Sequence, residues 1–245
     1  MSYGCTYDGI KNTKDGGIVM VHSEKLEEAK LWQAYRQKVS SNEKCSGWVK
    51  DVYQAAAKYM VDVRQTFQNY TLHDETHILN VLDAIGGLLG DRISDLTAGE
   101  MELLILAASL HDLGMVYTEE ERAQCYKDEA ACRKFLREYC PEMMGCPAED
   151  WAEDTRKWYL RTLHPFRLPK VLQNAGWKEL FDRCPLEVMP KRCIIAVCQA
   201  HEENPSELYS NKGYGTIVLC ESIHGNFMRI SRGDSRRFKR ISYSE

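Results

Sequence analysis

LLILAASLHDLGM, residues 103–115, ends an apolar run on an adjacent histidine and aspartate, His111 and Asp112. Such a run reads as the middle of a core, so two polar, metal-competent side chains directly after it need a reason. Upstream, Thr97 and Glu100 match a capping box, in which a hydroxyl and a carboxylate each satisfy an orphan backbone N–H. A helix is therefore expected from about Thr97, with Gly114 placed to end it. An apolar helix with a His-Asp pair at its end can point both side chains into a cavity at one end of a bundle, where other helices can add ligands. Core-like sequence makes the rigid platform, and the pair sits at its lip.

Outward from this helix the 3.6-residue period dominates. Apolar stripes predict helices over Glu24–Val39 and Trp48–Phe67, and over 77–89 with Asp74 as N-cap. The charged stretch Tyr117–Tyr139 is helical in pattern, Pro141–Pro147 is a turn-rich link, and helices follow over 149–163 and over 190–202, the last with proline at its first position. Only TIVLC, 216–220, is β-branched and apolar enough for a strand. The expectation is one all-α domain over 1–245. Its core is formed by about 46–114 and 149–203, with an inserted helical cap over about 115–148 and a less defined segment over 204–245.

Composition narrows the function classes. Over 245 residues, 44% are hydrophobic and 28% charged, with a net charge of -4, so neither a disordered chain nor a globally basic nucleic-acid binder is indicated. No charged-then-apolar leader opens the chain and no apolar stretch reaches bilayer length, which reads as a soluble, cytoplasmic protein with no membrane partner. The ten cysteines never form a C-x-x-C pair, so reduced thiols are expected rather than a zinc knuckle.

Five of the seven histidines, His73, His77, His111, His164 and His201, fall at or near predicted helix ends. Imidazole and carboxylate together hold Mn, Fe, Ni, Co or Zn, and a nearby metal acidifies water enough to make hydroxide available near neutral pH. A single His-Asp dipeptide usually marks no more than a hydrogen-bonded pair or a helix C-cap, so the weight rests on the pattern as a whole. Arg161, Arg167 and Lys170 flank His164 and are the candidates for gripping a phosphate, since arginine offers bidentate donors to its oxygens.

YTLHDETHILNVL (70–82) followed by LLILAASLHDLGM (103–115) resembles the paired signature of the HD-domain metal-dependent phosphohydrolase superfamily. The form looks most like the HD-CE branch and is also similar to HD-GYP. The resemblance implies that His77, His111 and Asp112 are metal ligands, with Asp112 able to bridge two ions. RTLHPFR (161–167) and AVCQAHEE (196–203) place His164 and His201 in the order of the additional histidines of multinuclear relatives, which implies one to three divalent transition-metal ions. His111, Asp112 and Arg161 would be the catalytic residues, and His73, Arg161, Arg167 and Lys170 would contact substrate. That substrate would be a nucleotide, cyclic nucleotide or nucleic-acid phosphoester, and a homodimer or an ATPase-domain partner is a further expectation.

One part of the pattern is absent. The superfamily closes its site with an aspartate in a stretch like L-R-x-A-D, and none follows His201; Asp234, Glu202 and Glu221 are the substitutes on offer. That departure keeps a second class of function open: a catalytically weak or inactive HD module that binds a nucleotide or partner as a sensor in a defence or signalling complex.

Overall fold

Thr97 starts the apolar helix as expected. Its hydroxyl accepts from the Glu100 backbone N–H at 3.2 Å, and the Glu100 carboxylate accepts from the Thr97 N–H at 2.7 Å. The computed structural model describes residues 24–68, 74–185, 188 and 190–201, and among them the fold is all-α, with nine α-helices and no strand. They are α1 (Lys30–Lys38), α2 (Glu43–Met60), α3 (Glu75–Leu89), α4 (Ala98–Leu110), α5 (Glu119–Lys127), α6 (Glu129–Tyr139), α7 (Glu153–Val171), α8 (Ala175–Asp182) and α9 (Lys191–Ala200). The expected strand 216–220 and the segment 204–245 lie outside the described residues.

α4 is the central rod. It is buried on nearly every side from Met101 to Leu110 and packs against α1, α2, α3 and α9. A helix apolar all round has no solvent face, so neighbours must surround it. Its one carboxylate in the interior, Glu102, accepts from the Tyr35 hydroxyl of α1 at 2.9 Å, which offsets part of the cost of burying a charge-bearing group. Trp48 of α2 donates its indole N–H to the Leu180 carbonyl of α8 at 2.9 Å and ties the bundle's far side together. No single helix among the described residues is long and apolar enough to cross a membrane.

Several element boundaries differ from the sequence reading, each for a local reason. Glu24–Val39 is not one helix: Ala29 is extended, with ψ 124°, and separates a 3-10 turn at Leu26–Glu28 from α1. α2 begins at Glu43, where the Asn42 side chain accepts from the Cys45 N–H, and ends at Met60, giving way to a 3-10 turn over Val61–Gln65. Asp74 caps α3 as expected, accepting from the Thr76 N–H at 3.0 Å.

α7 runs through Pro165 and Pro169 to Val171, well past residue 163, because packing on both sides outweighs the lost N–H groups. α8 was not foreseen; it is short and buries only Trp177 and Leu180. Pro190 is the N-cap of α9 rather than its first residue.

Gly114 does not end α4 in a left-handed turn; the left-handed glycines among the described residues are Gly90 and Gly145. It lies in a 3-10 turn, Leu113–Met115, pressed against α7, where an added Cβ would stand 2.0 Å from the His164 carbonyl oxygen. Glycine is needed there for close approach, not for a positive φ.

Residues 115–148, expected as a cap, contain α5 and α6. Cys132, Phe135, Leu136, Cys140 and Ala148 join Trp151 and Tyr159 in an apolar cluster apart from the main core. Tyr159 and Trp151 meet edge-on at 5.5 Å, and the Tyr159 hydroxyl donates to the Cys125 carbonyl at 3.1 Å. None of the cysteines among the described residues forms a disulfide.

Candidate metal centre

Four helices deliver five side chains to one point. His77 comes from the first turn of α3, and His111 and Asp112 from the end of α4. His164 comes from the middle of α7, and His201 from the end of α9. Asp112 has left the α-helix, with φ -98° and ψ 3°, so its carboxylate turns inward where the helical path would carry it past. It is 5% exposed and His164 1%, so the inner part of the cluster is dry.

The two Asp112 oxygens serve different pairs of imidazoles. Oδ2 lies 3.1 Å from His77 Nε2 and 2.9 Å from His111 Nε2. Oδ1 lies 3.3 Å from His164 Nε2 and 3.7 Å from His201 Nε2. Within the pairs, the Nε2 atoms of His77 and His111 are 3.3 Å apart and those of His164 and His201 are 2.9 Å apart. Two metal-competent triads result, His77-His111-Asp112 and Asp112-His164-His201, and they share the aspartate.

Backbone carbonyls fix which ring nitrogen faces the centre. His111 Nδ1 meets the Ala108 carbonyl at 3.0 Å, His164 Nδ1 meets that of Arg161, and His201 Nδ1 meets that of Cys198. A carbonyl only accepts, so each Nδ1 is the N–H donor and each neutral ring turns its Nε2 lone pair toward Asp112. All three carbonyls stand three residues before their histidine. Pro165 reinforces the arrangement in α7: it has no N–H to offer the Arg161 carbonyl, which is left to the His164 ring.

The donor set fits divalent transition metals. Lone pairs that face each other and a carboxylate at 2.9–3.7 Å repel unless protons or cations lie between them. Ligands held about 2.0–2.1 Å from a first-row ion stand roughly 3.0–3.4 Å from one another, close to the separations found here. Burial alone would push the Asp112 carboxyl up, but where protons occupy the Nε2 positions the charge of neighbouring His111 and hydrogen bonds from His111, His164 and His201 hold it well below the usual carboxylate range. Asp112 is thus held as a carboxylate, the form that can ligate a metal.

The other expected site residues are placed differently. Arg161 is exposed on α7, one turn before His164, and contributes its carbonyl to that ring. The Arg167 side chain is largely buried and fully engaged. Its guanidinium donates to the carbonyls of Gly114 and Val116, pairs with Glu121 at 2.7 Å and lies 3.5 Å over the Tyr117 ring. It therefore braces the turn that follows His111-Asp112. Lys170 is 68% exposed and pairs with Glu121 at 3.4 Å. His73, Glu202, Glu221 and Asp234 lie outside the described residues.

Sequence reading missed the bracing role of Arg167, the close approach at Gly114 and the three carbonyls behind the histidines. Every residue has a carbonyl, so no sequence signal marks those three.

The family model HD-CE matches residues 67–228, a span that contains all five clustered side chains. The chain belongs to the HD-CE family. The match lends no support to the likeness to HD-GYP suggested by the order of the histidines. Comparison with curated proteins and with solved structures found no match for this HD-CE chain. In HD-CE terms, the matched span begins just before α3 and runs beyond α9, so α5 and α6 fall inside it.

Proposed function

We propose that the chain is a metal-dependent phosphohydrolase acting on a nucleotide, cyclic nucleotide or nucleic-acid phosphoester. The observation that carries this reading is the shared carboxylate: one ionised aspartate with each oxygen set before its own pair of imidazoles. When bound, divalent metals at such a centre polarise a phosphoryl oxygen and lower the pKa of water.

The chain's own residues supply the rest. His77 and His111 would hold one ion with Asp112 Oδ2, and His164 and His201 a second with Oδ1. The carbonyls of Ala108, Arg161 and Cys198 keep three of the rings in the ligating tautomer, so little reorganisation is needed when metal arrives. Arg161, one turn from His164, is the candidate to neutralise charge on a phosphoryl oxygen. The residues of 115–148 would cap the pocket and select the substrate.

The test is hydrolysis of bis-p-nitrophenyl phosphate and a nucleotide panel by protein reconstituted with Mn, Ni or Co. His111→Ala and Asp112→Asn should lose at least about 100-fold in rate with helical circular dichroism unchanged. Full activity in either variant would contradict the proposal. A metal-loaded chain inert toward the whole panel would favour the sensor module.

A further inference from the structure

A cavity of about 480 Å³ lies between the main bundle and α5 and is lined by none of the five clustered residues. Its walls come from the end of the 3-10 turn after α2, from α5 and from the first turns of α7. Volumes of this size suit a small organic ligand.

Two buried polar groups in its lining have no hydrogen-bond partner among the described residues: the Thr66 hydroxyl and the Arg122 Nε–H. Thr66 is only 4% exposed. Leaving such groups unsatisfied is costly, and native structures complete them with a water, an ion or a ligand. The cationic Arg122 group only donates and the Thr66 hydroxyl can donate as well, so a single acceptor satisfies both, and negative charge is favoured.

The remaining charges are sorted by depth. The Lys157 side chain is 11% exposed and lies within the wall, while its partner Glu153, at 2.6 Å, is 76% exposed. Glu119, the other acid of the lining, is exposed as well. Cations lie inside and carboxylates at the rim, where water screens them. Half-buried Tyr126 adds an aromatic face to the same wall, a surface on which a nucleobase can stack.

We propose that this cavity is a second ligand site, separate from the metal centre, that takes a phosphate monoester of nucleoside-monophosphate size, its phosphate on Arg122, Thr66 and Lys157. Lys157 precedes His164 by seven residues of α7, on the order of 10 Å along the helix. The site is therefore adjacent to the centre without sharing a ligand with it, and its occupancy does not depend on metal.

The test is isothermal titration of the full chain, stripped of metal with EDTA, against adenosine monophosphate. The expected result is one site per chain with Kd of about 1 mM or tighter. Arg122→Gln and Thr66→Val should each weaken binding about tenfold or more, and His111→Ala should leave it unchanged. Thr66→Val is close to isosteric and removes an unpartnered hydroxyl, so its melting temperature without ligand should be equal or higher, and it decides the matter even if Arg122→Gln fails to fold. Absence of binding to the stripped wild type would overturn the proposal. So would binding that survives Thr66→Val, or binding lost in His111→Ala, which would assign the nucleotide to the metal centre.

Discussion

Asp112 is the residue on which the site depends, because among the described residues it alone faces both histidine pairs. Asp112→Asn keeps the shape and removes the charge, and the carboxylate is the one negative group in either triad. We expect it to lose metal at both positions, with affinity lower by about 100-fold or more, measured by competition with a chromogenic chelator. Gly114 sets a steric limit beside it. Gly114→Ala places a Cβ against the His164 carbonyl, so α7 must shift. The expected cost is about 1–3 kcal/mol in urea unfolding, together with weaker metal binding, since His164 moves with its helix. Equal stability and metal content in Gly114→Ala would contradict the close-packing account. At this scale the clustered side chains were legible because histidine is scarce and several of the histidines fall at helix ends, one beside an aspartate. The carbonyl partners and the close glycine were not, since both depend on which backbone lies opposite.

At the scale of elements, local signals succeeded where one side chain decides the outcome. The Thr97-Glu100 capping box and the Asp74 N-cap form as their residue types require. Thr97→Ala should cost about 1 kcal/mol, measured by chemical denaturation. Local signals failed where tertiary packing overrides propensity, as at Pro165 and Pro169 inside α7, which the sequence reading ended before both.

Arg167 shows the same limit. Its charge suggested a phosphate contact, yet it joins α7 to Gly114, Val116 and Glu121. Lysine cannot reproduce that fork, so Arg167→Lys should be destabilised by about 1–3 kcal/mol. The pair also predicts a pH dependence. Burial would push the Glu121 carboxyl up, but the Thr118 backbone N–H, Arg167 and Lys170 outweigh it and hold the carboxyl below its ordinary value. A lowered folded value means that Glu121 contributes stability fully above the ordinary carboxylate range and loses it as pH falls through the folded value. Thermal melts from about pH 6 to pH 3 should therefore show a shallower decline in Glu121→Gln than in wild type. Parallel declines would show that Glu121 is not linked to folding.

For the whole molecule, the fold assembles the centre from segments far apart in sequence. His77 and His201 bracket most of the matched span, and only the packing of α3, α4, α7 and α9 around one end of the bundle brings them together. The all-α class was legible from helical period alone. That α4 is the central rod followed from its unbroken apolar run, but how α5 and α6 sit did not follow, because their charged sequence gives no partner face. A centre built across four helices exists only in the folded state, so metal bound there would stabilise the fold by mass action. The most direct measurement is elemental analysis by inductively coupled plasma mass spectrometry of purified wild type and Asp112→Asn side by side, each after reconstitution with Mn, Ni, Co or Zn. Two triads sharing one carboxylate predict two transition-metal ions per wild-type chain and loss of both in the variant. Wild type that stays empty, or a variant that keeps its full complement, would contradict the assignment of this cluster as a metal centre.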